Sequence, residues 1–168
     1  MTLIIRNAVV GDFDNVALLA VEAYCQYSRF LTIENWNTMQ KNLSNVSAIA
    51  QQGQSIVARC KGELVGSVVY FSPGTSNSRL FQPEWASIRM LAVSPRYQRQ
   101  GIGQKLSKEC IERARIDRAE VIALHTSELM TGARRMYEKL GFETDVELPR
   151  SLGIRYWRYL LKLSESTI

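Results

Sequence analysis

The chain has 168 residues, of which 46% are hydrophobic and 22% are charged, and its formal net charge is +5. This length predicts one domain over residues 1–168, with a packed core over about 3–163. The composition is ordinary for a globular protein, and no apolar run reaches the roughly 18 residues of a membrane helix. The N-terminus lacks the basic start and apolar stretch of a secretion signal, so we expect a cytoplasmic protein without a membrane partner.

Metal-ligating side chains are few. The sequence has three widely spaced cysteines, Cys25, Cys60 and Cys110, and one histidine, His125. Zinc sites usually draw on several such ligands, so we predict no metal and three buried, reduced thiols. The positive charge is spread along the chain without a basic block among aromatic residues, which favours an anionic small molecule over nucleic acid as a partner.

The first half of the chain predicts a strand, two helices and a hairpin. Residues 3–6 are apolar and strand-like, Asp12 is a candidate N-cap for a helix through residue 27, and a more polar helix covers 33–45. Two further apolar runs flank a short turn and predict an antiparallel hairpin, at 55–60 and 64–71. Residues 72–84 predict an irregular loop, either functional or a surface insertion.

The second half alternates strands and helices. A strand at 85–93 precedes a helix at 101–115, whose inner face carries apolar or small residues four apart. A strand at 121–126 precedes a short helix at 131–141, which Gly141 ends. Two final strands are predicted at 142–148 and 154–163, and we expect the last five residues to be frayed.

The segment "LAVSPRYQRQGIGQKL", residues 91–106, ends a strand and opens a helix through two glycines. It lacks the GxxxxGK spacing of a nucleotide P-loop, and Leu106 stands where a dinucleotide fingerprint has its third glycine. A helix N-terminus nevertheless offers unpaired N–H groups, and glycines let a phosphate approach them. The residues alone are therefore compatible with a pyrophosphate cradle and with an ordinary strand-to-helix turn.

This segment resembles motif A of the GNAT acetyltransferase superfamily, with Gln98, Gly101 and Gly103 in the signature positions. The segment "ARRMYEKLGF", residues 133–142, resembles motif B of the same family, including its tyrosine. The two motifs occur in family order on matching elements, and the resemblance extends over nearly the whole chain. It implies a mixed α/β (α+β) fold: a twisted, mostly antiparallel sheet in which two parallel strands splay apart, flanked by about four helices.

The resemblance also implies acetyl-CoA as cosubstrate. Its pantetheine arm would lie between the strands ending near Val93 and Thr126 and pair with the main chain of Leu91, Ala92 and Val93. Its pyrophosphate would bind amides of the turn that opens the helix, which are those of Arg99, Gln100, Gly101, Ile102, Gly103 and Gln104.

The resemblance implies catalytic roles that the sequence fills only in part. Tyr137 matches the tyrosine that protonates the departing thiolate, although it also lies on an apolar helix face. Ser87 stands where many members have a glutamate base, and His125 matches a basic position on the next strand. Glu84 and Glu128 are alternative candidates for the general base. An amine that is already neutral could also attack without a base. Met130 replaces an asparagine that contacts the cofactor arm, so Thr126 or Ser127 would have to substitute.

These features predict an N-acetyltransferase that moves an acetyl group from acetyl-CoA to a primary amine of a small molecule or peptide, by direct attack in a ternary complex. The alternative is a CoA-binding sensor with little turnover, because the glutamate and the asparagine are both missing. Six aromatic residues either line an apolar acceptor pocket or belong to the core, with the core favoured for Tyr24 and Trp85: Tyr24, Tyr27, Phe30, Trp36, Phe81 and Trp85. Similar proteins commonly dimerise, so a homodimer is one expected assembly.

Overall fold

The computed structural model describes residues 2–76 and 78–163, which form seven strands and five α-helices. The strands are β1 Leu3–Asn7, β2 Gln54–Cys60, β3 Glu63–Phe71, β4 Ala86–Val93, β5 Val121–Ser127, β6 Glu143–Ser151 and β7 Ile154–Lys162. The helices are α1 Phe13–Cys25, α2 Ile33–Ser44, α3 Val46–Gln52, α4 Ile102–Ile116 and α5 Thr131–Lys139. The fold is thus the mixed α/β architecture that the sequence predicts, while residues 164–168 lie outside the described part.

One twisted sheet contains all seven strands in the order β1-β2-β3-β4-β5-β7-β6. Every neighbouring pair is antiparallel except β4 and β5, which are parallel. The predicted hairpin is β2–β3, joined by a turn in which Lys61 and Gly62 both have positive φ. The sheet is therefore mostly antiparallel with a single parallel junction near its centre.

Helices cover both faces of the sheet. On one face α4 packs through Ile102, Leu106 and Cys110 onto the large core cluster, which also contains Tyr137 of α5. On the other face Val16 and Ala20 of α1 meet Val57 of β2 in a separate cluster. Apolar residues at helical spacing thus bury both faces of the central strands, because each helix presents one apolar stripe to the sheet.

The end of α5 illustrates how the sequence sets an element boundary. Gly141 follows the helix with φ +103°, a conformation that favours glycine. The N–H of Phe142 donates to the carbonyl of Tyr137 at 3.0 Å, and the N–H of Gly141 donates to that of Glu138 at 3.0 Å. This Schellman arrangement satisfies the last carbonyls and fixes the helix that carries Tyr137.

Three details differ from the sequence-based predictions. Residues 46–52 form the additional helix α3, whereas one helix was expected to end near residue 45. Asp12 precedes α1 but does not cap it, because its carboxylate binds Arg6 at 2.7 Å and the N–H of Val9 at 2.8 Å. Cys25 is exposed, while Cys60 and Cys110 are buried as predicted.

Residues 2–76 and 78–163 contain neither a membrane-spanning helix nor a cluster of metal-ligating side chains. No helix in this part of the chain is long and apolar enough to cross a membrane. The same residues contain no cluster of three or more histidine, cysteine, aspartate or glutamate side chains that could hold a metal ion.

Candidate active site

The sheet opens at its parallel junction. The strands β4 and β5 are paired only at Ala86 with Ile122 and at Ser87 with Ala123, after which they separate. Strand β5 stays paired with β7 along its whole length, so the gap lies between the second halves of β4 and β5. A cavity of about 280 Å³ occupies this gap and extends to α1, α2 and α5.

A second depression of about 330 Å³ lies between β1, α3 and the start of β2. It is more open than the cavity at the gap, and its lining residues, which include Asn7, Phe13 and Ser55, contain no titratable side chain. Chemistry at a ligand site generally needs titratable or strongly polar groups in a concave pocket. We therefore place the candidate active site in the gap between β4 and β5.

Main-chain groups at the end of β4 are directed into the gap. The N–H of Ser94 donates to the carbonyl of Val65 at 2.8 Å, so these two residues form a hydrogen-bonded pair. Such pairs alternate along an antiparallel ladder, which makes Val93 a non-bonded residue whose N–H and C=O point away from β3. By the same alternation Ala92 bonds to β3, so its main chain does not face the gap, contrary to the expectation.

A bulge precedes this stretch of β4. Met90 has φ +59°, and the pairing of β3 with β4 shifts register between Ser67 and Val69. The extra residue bends the strand away from its neighbour, which helps to open the gap. Leu91 lies beyond the bulge and lines the cavity, and its carbonyl accepts a hydrogen bond from the Tyr24 hydroxyl at 3.3 Å.

The turn before α4 offers a row of free amides. Gly101 has φ +82° at the helix start, and an added Cβ there would meet no atom within 4 Å. Within residues 2–76 and 78–163, no acceptor is bound by the amides of 99–104. Helix N-termini of this kind carry partial positive charge and favour anions.

The side chains around this turn have separate tasks. Gln98 does not point out of the turn, since its Nε2 donates to the Val93 carbonyl at 3.3 Å and ties the turn to β4. Ile102, the first residue of α4, has a buried side chain, whereas Arg99, Gln100 and Gln104 are exposed. Gly103 has room for only a small side chain, because an added Cβ would contact Val93 and Leu91 at 3.7 and 3.8 Å. None of residues 98–104 lines the cavity itself.

Tyr137 projects from α5 to the cavity and is 4% exposed. Its ring packs edge-on against Phe142, with 5.6 Å between ring centroids. Burial raises the pKa of the Tyr137 hydroxyl well above its ordinary value, because the phenolate would lose its water. The hydroxyl is therefore protonated at neutral pH and can act only as a proton or hydrogen-bond donor to a developing anion.

His125 lines the same cavity from β5. Its ring lies between Phe81, stacked at 6.2 Å, and Tyr156, tilted at 6.1 Å. Burial, and secondarily the charge of Arg89, lowers the pKa of His125 to about 4. The imidazole is therefore neutral at pH 7 and able to accept a proton, although as a weak base.

Sequence reasoning missed Arg89, a charged residue that lines the cavity. Its Nε is buried without a hydrogen-bond partner, and its guanidinium carbon lies 5.9 Å from the centroid of the Phe71 ring. Burial lowers the pKa of Arg89, although an arginine stays charged. A signal was present, because an arginine inside the apolar strand "WASIRMLAV" is unusual for a central strand.

Some of the remaining predicted site residues line the cavity and others do not. Ser87 is fully buried with an unpartnered hydroxyl and does not line the cavity, so it cannot reach an acceptor there. Met130 does line it, and its sulfur accepts a weak hydrogen bond from the Thr126 hydroxyl at 3.7 Å. Among the aromatic candidates Tyr24 and Tyr27 line the cavity, whereas Phe30 is exposed.

Comparison with known proteins identifies the family. The family model described as Acetyltransferase (GNAT) family matches residues 18–142, which include β4, the turn, α4, β5 and α5. The chain belongs to the GNAT acetyltransferase family. It is accordingly an acyltransferase, and the resemblance found in its two motifs is confirmed.

Individual GNAT relatives agree with this assignment. The protein named Probable N-acetyltransferase camello from Xenopus tropicalis is 26% identical over 158 residues, covering 88% of this chain and 69% of that protein. YncA from Salmonella typhimurium, solved with its cofactor acetyl-CoA, superposes with a TM-score of 0.74 at 19% identity over 100% of this chain and 98% of its own. PaiA N-acetyltransferase from Thermoplasma acidophilum, solved in complex with coenzyme A, superposes with a TM-score of 0.75 at 17% identity. The match covers 97% of this chain and 100% of that one.

Proposed function

We propose that this protein transfers the acetyl group of acetyl-CoA to a primary amine of a small molecule or peptide, by direct attack in a ternary complex. One observation carries the proposal. A gap between two diverging strands leads from a row of free amides at the start of α4 to a cavity that contains Tyr137 and His125. In a GNAT enzyme this arrangement would let the cofactor and the amine approach one cavity from two sides.

The residues present fit the phosphate and pantetheine parts of acetyl-CoA. The amides of 99–104 lack protein acceptors, and Gly101 leaves the space in front of them open, which suits a pyrophosphate. The carbonyl of Val93 faces the gap and, besides the bond that it accepts from Gln98, has a second lone pair for an amide N–H of the pantetheine arm, in the manner of an added strand. YncA and PaiA, which share the fold, were solved with acetyl-CoA and coenzyme A.

Bound acetyl-CoA would supply a thioester carbonyl and a thiol leaving group. The N–H of Val93 is the proposed donor to the oxygen on which negative charge develops. The hydroxyl of Tyr137 is the proposed proton donor to the departing sulfur, because its raised pKa keeps it protonated. Both groups are positioned before reaction, one by the strand ladder and the other by the buried face of α5.

His125 is the proposed acceptor of the proton that the attacking amine loses. The neutral imidazole lines the cavity, and it is the side chain there whose pKa is nearest to neutrality. A pKa of about 4 makes proton transfer from an ammonium ion unfavourable, so the amine must arrive neutral or lose its first proton to water. His125 would then take the second proton, which the amine releases as the new amide bond forms.

An assay of thiol release tests the proposal. Purified protein is incubated with acetyl-CoA and a panel of amines, and free thiol and acetylated product are measured. We expect amine-dependent thiol release together with product of the added acetyl mass. Absence of acetyl-CoA binding in a thermal-shift assay would contradict the proposal.

A CoA-binding sensor is the second candidate, favoured by Met130 and by the low pKa of His125. Methionine cannot make the hydrogen bonds of an amide side chain to the cofactor arm. A weak base slows acetyl transfer without affecting cofactor binding. Thermal stabilisation by coenzyme A without thiol release for any amine would favour this candidate over the enzyme.

A further inference from the structure

The cavity at the gap contains one positive charge that nothing in it neutralises. Arg89 is the charged residue among the lining side chains, which include no aspartate or glutamate. None of the ion pairs among residues 2–76 and 78–163 involves Arg89, and its Nε is buried without a hydrogen-bond partner. Other half-buried arginines have a polar partner: Arg158, for example, pairs with Asp145, and Arg134 donates to the Tyr159 hydroxyl at 2.9 Å.

Arg89 is half-buried, and a guanidinium that is partly removed from water without an anionic partner is unfavourable in the free protein. Partial loss of hydration disfavours a charge unless hydrogen bonds or an opposite charge compensate it. The weak contact with the Phe71 ring, at 5.9 Å, compensates only a small part. An anionic group of a bound ligand would compensate the charge of Arg89.

The position of Arg89 places it on the acceptor side of the sheet. Arg89 is the cross-strand neighbour of Val69 on β3, and Val69 packs with Ala50 of α3 and Phe71 on the face covered by α1, α2 and α3. The turn of residues 98–104 is at the far end of β4 and does not line the cavity. Arg89 is thus separated from the amides that we assign to the pyrophosphate.

We infer that the acceptor amine carries a carboxylate, which Arg89 binds through its guanidinium. This inference rests on the proposed acetyl transfer to an amine, and it narrows the acceptor to an amino acid or an amino-acid-like molecule. The planar fork of arginine matches a carboxylate through two parallel hydrogen bonds. A cationic acceptor such as a polyamine is disfavoured, because the lining side chains offer it no anion and Arg89 would repel it.

The size of the cavity agrees with a small acceptor. Its volume of about 280 Å³ lies just below the range of ligand pockets, which is roughly 300–1,000 Å³, and the end of the pantetheine arm would share this space. The aromatic side chains of Tyr24, Tyr27 and Tyr156 line it together with Leu43 and Met39. An amino acid could place its carboxylate at Arg89 and its side chain against these apolar surfaces.

A bound carboxylate would also affect His125. The groups in contact with or near this imidazole are Arg89 from β4, Phe81 from the loop before β4 and Tyr156 from β7, with Arg158 opposite it in the strand register. Arg158 is already paired with Asp145. Neutralising Arg89 would remove one of the two causes that hold the pKa of His125 low, and so would make the imidazole a stronger base.

Matched acceptor pairs test the inference. The panel contains alanine, methionine, phenylalanine, aspartate and arginine, each with its amino-acid amide, in which the carboxylate charge is removed. The measured quantity is kcat/KM for each acid divided by that for its amide, in the wild type and in Arg89→Met. Because the basicity of each amine is the same for both enzymes, it cancels when the two ratios are compared.

We expect Arg89→Met to lower the acid-to-amide ratio by about 10- to 100-fold, the range for losing hydrogen bonds to a charged group. The acetyl-CoA dissociation constant should not change. The control Arg155→Met removes an exposed arginine that pairs with Glu147 away from the cavity, and should leave the ratio unchanged. An unchanged ratio in Arg89→Met, with active enzyme, would overturn the inference while the proposed function stands.

Two further readouts keep the test decisive. Arg89→Met should be at least as stable as the wild type without acceptor, because it replaces an unpaired, half-buried charge by an apolar side chain. A clear drop in melting temperature would assign Arg89 a structural role instead. If no amine supports thiol release, the proposed function fails. The inference is then decided by thermal shift with coenzyme A present: acids that stabilise the wild type but not Arg89→Met support it, and no stabilisation by any acid overturns it.

Discussion

The hydroxyl of Tyr137 is the proton donor in the proposed mechanism, and its removal is the most specific change at the residue scale. Tyr137→Phe keeps the packing against Phe142 but loses the donor. We expect turnover to fall about 100-fold with an unchanged dissociation constant for acetyl-CoA, which is in the usual range for loss of a general acid. Steady-state kinetics and calorimetric titration of acetyl-CoA measure the two quantities.

Tyr70→Phe is the matched control for this substitution. Tyr70 is also fully buried, but its hydroxyl donates to Asp117 at 2.7 Å outside the cavity. Removing it should cost about 1.5–3 kcal/mol of stability, the range for a hydrogen bond to a charged group, and leave turnover unchanged. Equal losses of turnover in the two variants would mean that Tyr137 acts through packing rather than through its proton.

The titration of His125 gives a second prediction at this scale. His125 is the sole histidine of the chain, so its imidazole proton signal is unambiguous in an NMR titration. We expect a pKa of about 4 in the folded protein against an ordinary value of 6.5, because the half-buried imidazolium is poorly solvated and lies near Arg89. A titration midpoint near 6.5 would contradict this poorly solvated environment of the ring.

The same shift predicts how stability depends on pH. A folded-state pKa below the unfolded value means that the unfolded chain binds the proton more readily, so the contribution of His125 is complete above pH 6.5. It is lost as the pH falls from about 6.5 through 4, with a total of at most about 3 kcal/mol. The difference in urea midpoint between the wild type and His125→Gln, measured at pH 7 and pH 4.5, isolates this contribution from that of the carboxylates.

At the scale of elements, the start of α4 determines cofactor binding. A carboxylate in front of the free amides would occupy them and repel a pyrophosphate, so Gly101→Asp should weaken acetyl-CoA binding at least about tenfold. Gly62→Asp in the β2–β3 turn is the control, because Gly62 has φ +76° with no atom within 4 Å of an added Cβ, as at Gly101. Both variants carry similar backbone strain, of order 1–2 kcal/mol, but only the first should lose affinity.

Elements with a strong periodic pattern could be predicted closely from the sequence. The four-residue spacing of Ile102, Leu106, Cys110 and Ala114 indicates one buried helix face, and the observed helix α4 differs from the prediction by one residue at each end. Helix α3 has only seven residues, too few to display a face, and it was missed. The role of Asp12 was missed because its partners, Arg6 and Arg59, lie on β1 and β2, and only the folded sheet brings them together.

The parts of the candidate site that lie within one continuous segment of the chain could be predicted from the sequence. The turn of residues 98–104 and Tyr137 lie in contiguous motifs, so their resemblance to the GNAT pattern located them. The gap itself depends on how far the pairing of β4 with β5 extends beyond Ser87, which no local segment encodes. The unpaired state of Arg89 depends in the same way on which charges three separate helices bring to the cavity.

At the scale of the whole molecule, the sheet is two antiparallel halves joined by a short parallel contact. Strands β1 to β4 form one half and β5 to β7 the other, and only two residue pairs connect their main chains. Helix α4 crosses from one half to the other, with contacts to β3, β4 and β5. We propose that residues 1–168 form one acetyltransferase domain, in which this junction holds the cofactor and the first three helices bound the acceptor.

A crystal structure of the complex with acetyl-CoA tests this central claim most directly. The account predicts pyrophosphate oxygens within hydrogen-bond distance of the amides of 99–104, the pantetheine arm between β4 and β5, and the thioester sulfur next to the Tyr137 hydroxyl. A complex in which the pyrophosphate binds elsewhere, or in which β4 and β5 close against each other and exclude the arm, would contradict it.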